Sequence, residues 1–282
     1  VAIVNQLMFV FNICIFGGIS GAGIFTAQFY GKGDQEGIRN TFRFKVYACG
    51  ILTALAIAVF ILGGDFLISL YLHEGSDVGN LALTLGYGKE YLFIMLVGLV
   101  PFAVSQVYAS TLRECGETIL PMLAGVAAVF VNLCLNYVLI FGNFGAPKLG
   151  ANGAAIATVI SRFLEMAIVV IWTHAKKEKN KFIVGVYRSL RIPGGLVRVI
   201  LAKGSPLMMN EILWAVGMAM IAQCYAYRGL AVVAAQNITS TIVNVFNIVY
   251  IALGSSVSII VGQLLGAGHK EEAKEKDAQL IA

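Results

Sequence analysis

The chain has 282 residues, of which 59% are hydrophobic and only 12% charged, and its mean hydropathy is +0.83. Soluble globular domains carry about 25% charged residues, so this composition excludes one and points to a membrane. The formal net charge of +5 does not imply a nucleic-acid partner, because the basic residues fall in the linkers between apolar runs, where they face a membrane surface.

Seven runs reach the roughly 20 residues that a spanning helix needs. They lie near 1–30, 44–63, 91–112, 119–141, 151–173, 205–227 and 236–263. Backbone groups in hydrocarbon must be satisfied within their own segment, and the runs lack the alternation of barrel strands, so each is predicted to be a helix. The expected fold class is an all-α membrane protein, a polytopic bundle of about seven transmembrane helices.

The first run is no signal peptide: it has no basic start and carries Asn5, Gln6 and Asn12 where an uninterrupted apolar stretch is needed. It opens without Met inside apolar sequence, and the chain closes on the charged "KEEAKEKDAQLIA"; a piece of a longer protein is expected. After the first run comes "AQFYGKGDQEG" (27–37). Its Gly31 and Gly33 are expected to stop the helix, since glycine tolerates the left-handed conformation of a C-terminal cap. "GKGD" lacks the strand and full spacing of a phosphate-binding loop.

The linkers divide by charge. Lys32, Arg39, Arg43 and Lys45 lie in 31–45, Arg113 ends the third run, and eight more basic residues lie in 174–204. Lys270, Lys274 and Lys276 lie in the tail, while the intervening linkers hold only Lys89, Lys148 and Arg228. The positive-inside rule then makes alternate linkers cytoplasmic and sends the first and seventh helices from outside to inside.

Ionisable groups are expensive in the hydrocarbon core, from about 2.5 to beyond 10 kcal/mol at the centre, so they mark pairs or functional sites. Two acids lie well inside the runs. Glu165 follows Arg162 by three residues on one helical face, which predicts a local ion pair. Glu211 stands seven residues into the sixth run, beyond Pro206, beside Asn210 and three turns before Gln223. It is expected either to bind substrate or a coupling cation, H⁺ or, with neutral oxygen ligands, Na⁺ as a metal site, or to hydrogen-bond a neighbouring helix as a structural acid. Asn132 and Asn136, one turn apart, are expected to line a cavity or to bond across helices. Pro206 and "ALGSSVS" (252–258) are candidates for bends. The five cysteines are scattered singly, without metal-ligand spacing, and are expected as small buried hydrophobes. His73, His174 and His269 stand far apart, which argues against a metalloenzyme.

The seventh run repeats the first. A shift of 235 residues aligns Phe11 with Phe246, Asn12 with Asn247, Ile24 with Ile259, Gln28 with Gln263, Gly31 with Gly266, Gly33 with Gly268 and Glu36 with Glu271. Parallel repeats with an even number of spans, related by an axis along the membrane normal, are a transporter architecture in which substrate sits between the halves. The expected organisation is most of a first lobe at 1–173, a basic cytoplasmic connector at 174–204 containing "IPGG", and the start of a second lobe at 205–282.

Six stretches in order, "AQFYGKGD" (27–34), "TLRECGETILPM" (111–122), "NLCLNYVLIFG" (132–142), "GANGAAIATVISR" (150–162), "GSPLMMNEILW" (204–214) and "VGQLLGAG" (261–268), resemble the multidrug and toxic compound extrusion (MATE) family of cation-coupled efflux transporters. The resemblance implies twelve helices in two bundles of six, of which this chain matches the second to the eighth. It implies a secondary antiporter of the cell membrane, in a prokaryote the plasma membrane, exporting amphipathic, cationic compounds in exchange for Na⁺ or H⁺. No cofactor beyond that ion and no obligatory protein partner are expected. The sodium-linked branch of the family has a glutamate farther beyond the proline than Glu211 is beyond Pro206, and the proton-linked branch has an aspartate where this chain has Asn136. The competing reading is a flippase for lipid-linked saccharides of the same superfamily. Its cavity needs several basic residues for pyrophosphate, and with Lys45 assigned to the 31–45 linker Arg162 is expected to be the one basic residue inside a span.

Overall fold

The computed structural model describes residues 2–70, 81–145, 147–189, 191–226 and 230–281. Nine α-helices occur among them: α1 (Ala2–Lys32), α2 (Gln35–Leu70), α3 (Leu81–Val97), α4 (Leu99–Glu114), α5 (Ile119–Phe141), α6 (Ala151–Ala175), α7 (Gly194–Ala226), α8 (Leu230–Gly266) and α9 (Lys270–Ile281). Seven segments are long and apolar enough to cross a membrane: Met8–Lys32, Gln35–Gly64, Gly88–Glu114, Ile119–Phe141, Ala151–Ala175, Gly194–Met218 and Ile238–Gly266. The expected number and order of spans are present, in an all-α bundle.

Helix boundaries differ from the hydropathy boundaries. Asp34 caps α2, its Oδ1 accepting the Gly37 N–H at 2.9 Å. α2 therefore starts nine residues before 44, and Arg39, Arg43 and Lys45, expected in a linker, are helical. α7 likewise starts at Gly194 instead of 205, where the Pro193 carbonyl accepts the N–H groups of Leu196 and Val197 at 3.0 and 3.2 Å. The charged tail forms α9. Hydropathy marks where apolar sequence begins, whereas a helix begins where its first N–H groups find acceptors. Pro206 lies within α7 and 252–258 within α8, and both helices continue through them.

The third span is built from two helices. Gly98 separates α3 from α4, and Pro101 follows at once without an N–H to continue the ladder. The core lies where α1, α2, α4 and α6 meet, with Ile15, Phe42, Leu112 and Val169 almost wholly buried. The basic connector folds back over α2: Phe182, Ile183 and Val186 are buried, and Arg43 Nε donates to the Val186 carbonyl at 2.8 Å. α5 and α6 form a hairpin closed by Gly142 in the left-handed region. A Cβ on Gly153 of α6 would lie 2.7 Å from the Leu139 carbonyl oxygen, so glycine sets how closely the two helices pack.

α7 and α8 join the remaining helices chiefly along α1. Phe130, Leu133, Met220 and Ile251 stay exposed on α5, α7 and α8, as helix faces turned to lipid or to further helices do. Of the five free cysteines Cys49 is buried, Cys14 and Cys115 are partly buried, and Cys134 and Cys224 are exposed; the expectation of buried thiols fails at the last two, which lie on such outward faces.

Candidate functional site

The repeated motif has two distinct parts. Gly33 and Gly268 adopt φ of +76° and +86° and end α1 and α8 in matching ways. The Gly33 N–H donates to Tyr30 O at 3.0 Å and Asp34 N–H to Phe29 O at 2.9 Å; 235 residues later Gly268 donates to Leu265 O at 3.1 Å and His269 to Leu264 O at 3.0 Å. This is one C-cap motif formed twice. Gly31 was expected to belong to that stop, but it lies inside the helix and does something else. A Cβ on Gly31 would sit 2.7 Å from the Gln263 carbonyl carbon, and one on Gly266 2.6 Å from that of Gln28. The ends of α1 and α8 thus cross backbone to backbone through exchanged, equivalent contacts, as a two-fold relation requires.

Beside this crossing lies a buried ion pair that hydropathy missed. Lys45 of α2 is wholly buried, bonds the Glu114 carboxylate of α4, and also donates to Ser110 Oγ at 3.2 Å and Thr111 Oγ1 at 3.3 Å. Glu114 is packed against α1, since a Cβ on Gly23 would meet its Oε1 at 2.6 Å. Its backbone carbonyl accepts Gln263 Nε2 of α8 at 2.7 Å. The signal available in the sequence was the capped helix start at Asp34, which moves Lys45 inside a span and overturns the reading of Arg162 as the only basic residue within one. Just past α4, burial and then the Glu114 charge push the Cys115 thiol up to about 12.

Asn132 and Asn136 bond each other one turn apart on α5, and Asn132 bonds across the α5–α6 seam. Asn136 Nδ2 donates to Asn132 Oδ1 at 3.0 Å, Asn132 Nδ2 to Thr158 Oγ1 at 3.4 Å, and Thr158 Oγ1 to the Ala154 carbonyl at 2.9 Å. Every donor in this chain points one way, which leaves Asn136 Oδ1 buried without a partner among the described residues. An unpaired buried acceptor costs about 1–3 kcal/mol, so the site favours any ligand that supplies an N–H or O–H.

Glu211 lies on the seam between α7 and α1. Gly204 approaches Gly21 so closely that a Cβ would meet the opposite Cα at 3.1 Å, and a Cβ on Gly17 would meet Met208 Cγ at 3.5 Å. Farther along, Trp214 stands 6.5 Å from Phe9, centroid to centroid. Positions 204, 208, 211 and 214 share one helical face, so the half-buried Glu211 falls between contacts that face α1. Because α7 starts at Gly194, Glu211 lies about 26 Å along it rather than 9–10 Å. Among the described residues Glu211 has no hydrogen bond to the asparagine pair, Asn210 is exposed, and the side chain of Gln223 falls outside the described residues. Arg162 and Glu165 form the expected pair at 3.3 Å, with the guanidinium 4.5 Å from the Phe102 ring centroid.

A helical bundle with seven segments fit to span a bilayer, whose first and last spans cross through equivalent contacts, defines a multi-pass, all-α membrane protein. The MatE family model matches residues 1–138 and 206–281, and the chain belongs to that family. It is 29% identical over 280 residues to the "Probable multidrug resistance protein NorM" of Thermotoga maritima, covering 96% of this chain and 56% of that protein. It is 26% identical over 259 residues to the "Probable multidrug resistance protein YoeA" of Bacillus subtilis, covering 91% of this chain and 54% of the relative. A mutant of the Vibrio cholerae MATE transporter VcmN shares the fold with a TM-score of 0.78 and 23% identity, over 99% of this chain and 62% of that one. The chain thus spans about half the length of these curated relatives.

Proposed function

We propose that the chain is part of a secondary antiporter that exports amphipathic, cationic drugs or toxic compounds in exchange for Na⁺ or H⁺. Residues 1–173 would supply most of one lobe, 174–204 the cytoplasmic connector and 205–282 the start of the second lobe. The observation that carries this reading is the unpaired Asn136 Oδ1, an acceptor inside a spanning helix of a chain whose relatives are called multidrug resistance proteins. A protonated amine would satisfy that acceptor. Glu211 holds the coupling cation at the seam whose packing must change when the lobes rock. The protein is a transporter and not an enzyme, and it needs no cofactor besides the ion.

A flippase for lipid-linked saccharides would need free cations for a pyrophosphate. Lys45 is paired with Glu114 and Arg162 with Glu165, while the other basic residues of the spans stand near their ends, which supports export of cations over that alternative. The test is efflux of ethidium by the full-length protein in vesicles, with Na⁺ and H⁺ gradients imposed separately. One gradient alone should drive export; no movement under either would overturn the reading and make lipid-linked substrates the next assay.

A further inference from the structure

The motif shared by the two repeats meets itself at the basic ends of α1 and α8. Gly31 lies on the Gln263 backbone and Gly266 on the Gln28 backbone, and a Cβ on Gly262 would meet Ala27 Cβ at 3.1 Å. The carbonyls in these contacts belong to helix backbones, which cannot swing aside as a side chain can. Real Cβ atoms essentially never come within 3.0 Å of another heavy atom, so the approach exists only while positions 31 and 266 are glycine. Among the described residues no ion pair joins α1 to α8, and one hydrogen bond, Gln263 Nε2 to the Glu114 carbonyl at 2.7 Å, ties α8 to α4. That carbonyl lies in the last turn of α4, whose carbonyls lack acceptable donors within the helix. Its residue is held from behind by Lys45 and packed against α1 at Gly23.

We propose that this crossing is the cytoplasmic gate of the transporter, closed in this structure, with Gly31 and Gly266 permitting closure and Gln263 latching it to Glu114. The inference rests on the two-lobe export reading above. Close backbone packing with a single polar tie holds the ends together and leaves nothing charged to be desolvated each time they part and meet again. Two-fold placement also gives Gln28 the matching role: it stands where the same bond would reach the second half of the protein, beyond this chain.

The gate is tested in the full-length protein with its native cysteines replaced. Ala27→Cys and Gly262→Cys together place two thiols near the ~3.5–4.5 Å Cβ separation of a disulfide. Oxidation should cross-link the α1 and α8 ends, shown by mobility on a gel after cleavage of the connector, and should stop ethidium efflux until a reductant is added. Adding Gly31→Ala or, separately, Gln263→Ala should slow cross-linking at least tenfold. Gly125→Ala, where a Cβ meets nothing within 4 Å, should leave the rate unchanged. Should Gly31→Ala fail to fold, Gln263→Ala decides alone. The proposal is overturned if the cysteine pair does not cross-link, or if it cross-links at the parent rate with Gly31→Ala and Gln263→Ala present. Cross-linking is scored without any substrate, so correct cross-linking with no dye movement keeps the gate and removes the drug-export reading.

Discussion

Replacing Glu114 by Ala should cost this protein more stability than any other single charge removal. Lys45 is 0% exposed, and once the carboxylate is gone its ammonium keeps only the hydroxyls of Ser110 and Thr111. Both hydroxyls donate to the Val107 carbonyl, at 3.1 and 2.9 Å, so they can accept from Lys45 but cannot balance its charge. Removing one member of a buried pair costs about 3–5 kcal/mol, because the other is left desolvated and alone. An exposed pair such as Glu271–Lys274 contributes about 0–1 kcal/mol. At about 2–4 °C per kcal/mol for a chain of this size, Glu114→Ala should lower Tm by about 6–20 °C, measured by loss of helical circular dichroism in detergent. Replacing both partners, Lys45→Met with Glu114→Leu, should recover most of that loss, since both desolvation penalties disappear with the attraction. If Glu114→Ala melts within about 2 °C of the parent, or if the double substitution is no better than the single one, solvent reaches Lys45 and the reasoning fails.

Other outcomes follow from the same geometry. Glu211→Gln should abolish gradient-driven ethidium efflux while leaving Tm within about 2 °C, because none of the ion pairs among the described residues includes the carboxylate; efflux retained at the parent rate would make it a structural acid. Asn136→Leu removes the free acceptor and should weaken binding of a cationic dye about tenfold, the equivalent of about 1.4 kcal/mol, as read by fluorescence titration in detergent. Gly153→Val forces a side chain into the Leu139 backbone and should destabilise the α5–α6 hairpin by about 1–3 kcal/mol, seen as a lower Tm. With its thiol pushed up to about 12, Cys115 stays protonated at pH 8. Its thiolate is far scarcer there than that of an ordinary cysteine near 8.5, so maleimide labelling at pH 8 should be slow beside that of a free thiol; equally fast labelling would contradict its desolvation.

Much of the candidate site was legible because it was local. The Arg162–Glu165 pair follows from a three-residue spacing on a helix, and the Asn136-to-Asn132 bond from a four-residue one. The paired helix stops follow from Gly33 and Gly268 in one register. Thr158, 26 residues from Asn132, and Lys45, 69 residues from Glu114, were not legible, because partner choice across helices depends on which faces pack.

By itself the sequence determined that this chain has seven segments fit to span a membrane, in which order, with which ends basic, and that its first and seventh carry one motif in the same register. Those properties follow from apolar run length, charge placement and internal repetition, each of which acts along the chain. Only the tertiary structure decided that Gly31 and Gly266 serve close approach rather than helix termination, that Lys45 is a buried partner rather than a linker cation, and that Glu211 stands on the α1 seam about 26 Å along its helix. Those depend on which backbones touch, and glycine is equally suited to ending a helix and to letting another one in.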